Sequence, residues 1–195
     1  MTSALRASVM FSCLLVACAG SEPRPSSLDS IELSEFFPLH AGNAWSYDVD
    51  TGEPSTTLGV TRVEAFDGHL AEVRTGRAMV RYELLAEGIR VPPEDVWLLR
   101  APLEEGASWP ARGGRTAQII SIDTRIETLA GKFERCIEVS ETGGKLELEI
   151  RIVYCPGVGP VALDSTMRSE TSDRVVTVFA RLRGYEVSRE SRSGP

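Results

Sequence analysis

The sequence predicts an all-β protein: one curved antiparallel meander, a half-barrel or open barrel of eight to ten strands, with little helix beyond its leader. Three observations predict it. Apolar residues recur at every second position through most of the chain, helical spacing is nearly absent, and glycine-bearing turn signals interrupt the alternation at short intervals. Alternation of this kind belongs to antiparallel sheets with one apolar and one wet face.

The N-terminus is read first because it sets the compartment. In residues 1–17 one positive charge, Arg6, precedes an uncharged stretch over 7–17. That length suits a signal peptide and falls short of the roughly 20 residues needed to span a bilayer. Leu15-Val16-Ala17-Cys18 resembles the bacterial lipobox, in which the cysteine receives a diacylglyceryl group, cleavage follows and the new N-terminus is acylated. The resemblance makes Cys18 a lipid anchor, holding the protein to the membrane through two or more chains; the competing reading is an ordinary signal peptide that contains a cysteine. Ala19-Gly20, with no aspartate after Cys18, favours the outer membrane by similarity to enterobacterial sorting rules. Residues 18–35 are rich in Ser and Pro and lack apolar periodicity, so they read as a disordered tether, roughly 25 Å r.m.s. in length. Residues 36–190 read as one β domain and 191–195 as a disordered tail.

Within the domain the alternating runs are Trp45-Tyr47-Val49, Leu58-Val60, Met79 to Leu85, Ile120-Ile122-Thr124-Ile126, Ile137-Val139, Leu146 to Tyr154, and Val176-Val178-Ala180-Leu182. Asp67-Gly68, Glu87-Gly88, Gly113-Gly114, Ala130-Gly131, Gly143-Gly144 and Pro156-Gly157 mark turns between them. Two stretches look alike. Leu39-x-x-Gly42-x-x-Trp45 recurs as Leu103-x-x-Gly106-x-x-Trp109 at an offset of 64, and Asp67-Gly68-x-Leu70 corresponds to Ala130-Gly131-x-Phe133 at 63. The pattern suggests an internal duplication.

With Cys13 removed and Cys18 lipidated, Cys136 and Cys155 remain. In an oxidising envelope compartment an even pair reads as a disulfide. A tight hairpin at Gly143-Gly144 pairs residues whose numbers sum to 287; direct pairing of the cysteines needs 291, with the turn shifted to about 144–147. Both sums put Ile137, Val139, Ile150 and Ile152 on one face and the cysteines on the other. Two free thiols or metal ligation are the alternatives, although neither His40 nor His69 has ligand spacing to the pair.

The charge balance bears on partners. Removing residues 1–17 leaves 20 basic against 28 acidic residues, a net charge of −8, which argues against nucleic acid. No Gly-x-Ser-x-Gly element, no phosphate-cradling glycine loop and no Cys-x-x-Cys occurs. The expected protein is non-enzymatic, without cofactor or metal.

Phe36-Phe37-Pro38-Leu39-x-x-Gly42-Asn43-x-Trp45-x-Tyr47, Gly131-x-Phe133-x-x-Cys136 and Tyr154-x-Pro156-Gly157-Val158-Gly159 resemble motifs of uncharacterised bacterial envelope lipoproteins. The resemblance covers residues 36–164. It implies a curved antiparallel sheet, distantly like the half-barrels of lipoprotein carriers and sorting receptors, and no established activity. Cys155 departs from the small residue common at that position, which supports a lineage-specific bridge to Cys136. The leading expectation is a lipid-anchored protein that binds a small apolar ligand, a lipid or an envelope protein partner on its sheet, with Ile120, Ile122, Val139, Ile150 and Ile152 as lining residues. The alternatives are an assembly partner that docks through an exposed sheet face, and a hydrolase at the sheet mouth.

Overall fold

The computed structural model describes residues 32–144, 147–168 and 175–188. The leader, Cys18, residues 18–31 of the tether and the 191–195 tail lie outside the described residues, whereas residues 33–35, read as the end of the tether, belong to a 3₁₀ turn. Twelve strands are described: β1 (Ala44–Asp50), β2 (Thr57–Phe66), β3 (Leu70–Thr75), β4 (Ala78–Leu85), β5 (Gly88–Val91), β6 (Val96–Arg100), β7 (Ser108–Pro110), β8 (Arg115–Thr128), β9 (Gly131–Gly143), β10 (Leu148–Cys155), β11 (Gly159–Arg168) and β12 (Val175–Glu186). All pairings are antiparallel, in the order β6-β5-β4-β3-β2-β1-β12-β11-β10-β9-β8-β7. Helix among the described residues is limited to two short 3₁₀ turns, Leu33–Phe36 and Arg112–Gly114.

The count exceeds eight to ten because β5, β6 and β7 have four, five and three residues, too few for a period of two to declare itself. The sheet is a nearly closed barrel. Its two edge strands, β6 and β7, are joined by the Trp109 indole, whose Nε1 donates to the Trp97 carbonyl at 3.1 Å.

The strand order consists of two six-strand meanders joined where β1 pairs with β12. The repeated motif occupies the same place in each half. Gly42 N donates to Val63 O (2.9 Å) and Gly106 N to Ile119 O (2.8 Å). Val63 N and Ile119 N donate back, to Asn43 O (2.8 Å) and Ala107 O (3.0 Å). Leu39 with Leu103 and Trp45 with Trp109 are buried at the openings of β1 and β7. Asp67-Gly68 and Ala130-Gly131 turn the second strand of each half into the third.

A twelve-strand circumference encloses more space than inward side chains alone fill, since about eight strands already give a side-chain-filled interior. The chain fills one end of this space with its own segments. Phe36, Phe37 and Leu39 from the stretch before β1 are buried, and the Phe37 ring lies 5.5 Å from Trp45 and 5.6 Å from Tyr82. Trp45 Nε1 donates to Val158 O in the β10–β11 turn at 2.6 Å. Asn43, itself buried, ties both termini to this end: its Nδ2 donates to Pro38 O (2.8 Å) and its Oδ1 accepts from Ser188 N (2.9 Å). The tip of the long β8–β9 hairpin bends onto β12, where Ala130 N donates to Leu182 O at 3.3 Å.

Cys136 and Cys155 form a disulfide with Cα atoms 4.2 Å apart. Residues paired between β9 and β10 have numbers that sum to 291, as in Tyr154 with Ile137 and Ile152 with Val139. The register therefore matches the shifted turn, and it directs Ile152 and Tyr154 inward.

Candidate functional site

The inward residues toward the other end of the barrel do not meet one another. They bound an apolar cavity of about 270 Å³. Its base is aromatic: Phe37 from the plug, Tyr47 of β1, Tyr82 of β4 and Tyr154 of β10. Small and branched side chains form the walls, with Ile152, Ala162, Leu163 and Ala180 on one side and Leu98 on another. Small residues matter here: Ala180 sits between Val49 of β1 and Leu163 of β11, and its single methyl leaves room that a larger residue would take. Val49, Val60, Thr61 and Thr75 complete the lining, and the last two share a hydroxyl–hydroxyl hydrogen bond of 3.1 Å.

Among the described residues, no Lys, Arg, His, Asp or Glu lines the cavity. The polar side-chain groups that the described residues place on it are hydroxyls. Tyr47 donates to Pro160 O at 2.9 Å. Burial pushes all three tyrosines above their ordinary value, and for Tyr154 the Glu141 carboxylate adds to the effect. Glu141 is the one buried charge among the described residues and is held by Arg115 at 3.0 Å. Arg112 pairs with Glu94 on the same side, where both act electrostatically on Tyr82.

Of the five residues expected to line a ligand site, Ile152 alone lines this cavity. Ile122 and Val139 are packed in the dry core, and Ile150 is half-buried against it. Ile120 is 41% exposed on the outer face. The alternation through Ile120 and Ile122 is broken by a register shift between Ile119 and Ser121: Ala117 and Ile119 point inward before it, Ile122 after it. A bulge inserts one residue and so changes the face on which the next one lies. Nothing in the sequence pattern groups Tyr47, Tyr82 and Tyr154, although each stands in an alternating run. Their convergence depends on closure of the barrel.

The histidines lie elsewhere. His40 packs edge-on against Phe66 at 5.7 Å, and His69 pairs with Glu83 at 2.9 Å beside the β2–β3 turn. Among the described residues no three His, Cys, Asp or Glu side chains are arranged to hold a metal ion. Trp45 and Trp109 cover the core rather than line the cavity.

No protein-family model matches the chain. No curated protein matches it significantly in sequence. Two solved structures are similar to it. One, from Bacteroides fragilis, is described as an exported protein with a YmcC-like fold; it is 13% identical, with a TM-score of 0.49, over 77% of this chain and 98% of its own. The other, from Parabacteroides distasonis, is described as a lipoprotein; it is 13% identical, with a TM-score of 0.46, over the same shares.

Proposed function

We propose that this chain is a non-enzymatic, lipid-anchored envelope protein of the outer membrane that binds a small apolar molecule, or the apolar segment of a lipid, inside its barrel. The observation that carries the reading is the cavity: about 270 Å³, lined among the described residues by apolar and aromatic side chains and a few hydroxyls. Ligand sites have this composition, a mostly apolar concavity with a few placed polar groups. A packed core would instead be dry and filled. An apolar segment hiding about 300 Å² would gain roughly 7 kcal/mol from burial before the costs of association. The anchor rests on Cys18 and the uncharged stretch before it.

Mass spectrometry of organic extracts from the purified, intact protein tests the binding. The wild type should carry an apolar molecule that Ala180→Phe, whose ring fills the space between Val49 and Leu163, depletes at least about tenfold without lowering the melting temperature. Equal extracts from both proteins would refute the reading. Separately, Cys18→Ser should abolish incorporation of a palmitate analogue; undiminished labelling would remove the anchor.

A further inference from the structure

Two of the cavity's hydroxyls are unused. Tyr82 and Tyr154 both line it, and neither hydroxyl makes a hydrogen bond to another described residue. Tyr154 is 2% exposed. Every sealed polar side-chain atom among the described residues has a partner, so the unpartnered Tyr154 hydroxyl opens on the cavity instead of ending in packed protein. A phenol left without an acceptor in an apolar site is unfavourable, and a ligand oxygen placed there relieves the penalty. Because these phenols stay protonated, they act as donors.

The charges around them define the acceptor. Arg112, the cation that acts on Tyr82, is committed to Glu94, and Glu141 is itself paired with Arg115. Glu141 is the ionised group that acts most strongly on Tyr154. A carboxylate brought to these hydroxyls would lose its hydration, meet no cation among the described lining residues and stand in the field of Glu141 behind the wall. An ester carbonyl accepts the same two hydrogen bonds without charge.

Resting on the proposed ligand-binding role, we infer that the cavity takes an uncharged, ester-bearing lipid, its ester oxygens accepting hydrogen bonds from Tyr82 and Tyr154, and that it discriminates against free fatty acids.

The test uses the intact protein in nanodiscs with two photoreactive probes of equal chain length, a diacylglycerol and a free fatty acid, at pH 8. Adducts are mapped by peptide mass spectrometry. The diacylglycerol should label cavity-lining peptides at least about tenfold more than the fatty acid. The pair Tyr82→Phe and Tyr154→Phe, which keeps both rings, should weaken diacylglycerol labelling about tenfold, the equivalent of 1.4 kcal/mol, and narrow the preference over fatty acid. Diacylglycerol labelling that is indifferent to the two substitutions would overturn the role of the hydroxyls. A preference for the fatty acid would overturn the charge argument. Absence of cavity adducts from either probe would overturn the inference together with the ligand-binding reading beneath it, which sets that failure apart from the other two.

Discussion

Reducing the Cys136–Cys155 bridge should destabilise the barrel by about 3 kcal/mol. The bond closes a segment with a sequence separation of 19, and the chain-entropy relation for a loop of that length gives roughly 3 kcal/mol at 25 °C. For a domain of this size a loss of 1 kcal/mol lowers the melting temperature by about 2–4 °C. The expected fall is therefore about 6–12 °C, or roughly 1–2 M in the urea midpoint. Both cysteines are sealed from solvent, so reductant alone should act slowly, and samples need equilibration through the unfolding transition with and without reductant. The reduced protein should also unfold with a steeper urea dependence, because its unfolded chain is no longer cross-linked. Replacing both residues with alanine rather than serine avoids placing unpaired hydroxyls at a buried site and should reproduce the shift. Coincident urea curves for oxidised and reduced protein would refute the reasoning. The bridge also fixes the β9–β10 register that turns Ile152 and Tyr154 inward; a slip of one residue would turn both outward.

Gly88→Ala should cost about 3 kcal/mol or more, since the added Cβ would stand 2.2 Å from Leu99 O and 3.0 Å from Arg100 Cα, both backbone atoms of the adjoining strand. A wild-type melting temperature for this variant would show that β5 and β6 do not approach so closely. Stability should also fall steeply above pH 10. In the folded protein burial holds Tyr47, Tyr82 and Tyr154 protonated above their ordinary value of 10.0, while the unfolded chain releases these protons at 10.0. The folded state then binds more protons, so the stabilisation is whole below pH 10 and is lost as pH rises. Each tyrosine contributes a slope of up to 1.36 kcal/mol per pH unit, about 4 for the three. Urea midpoints between pH 9 and 11.5 measure it. The protein carrying Tyr82→Phe and Tyr154→Phe should keep about a third of the slope, and an unchanged slope would contradict the burial.

The class of fold, most turns and the bridge could be read from the chain because each is a local property. Period-2 runs such as Trp45-Tyr47-Val49 specify half-buried strands wherever they pair, and all six Gly-bearing turn signals fall where consecutive strands join. Counting along one hairpin reduced the β9–β10 register to sums of 287 or 291, of which the structure has 291, and the repeated Leu-x-x-Gly-x-x-Trp segment marks the start of each meander because its backbone hydrogen bonds are local to β1–β2 and β7–β8. What tertiary structure alone decided is which inward residues touch protein and which touch empty space. Val139 and Ile152 are chemically alike and face each other across one pair of strands. Yet Val139 belongs to the dry core and Ile152 borders the cavity. The difference lies in how far the Phe36-Phe37-Leu39 plug fills the interior and in a bulge that sends Ile120 outward. A side chain's own pattern fixes the face it occupies; its neighbours across a twelve-strand barrel come from closure, and closure sums over pairings that no single segment records.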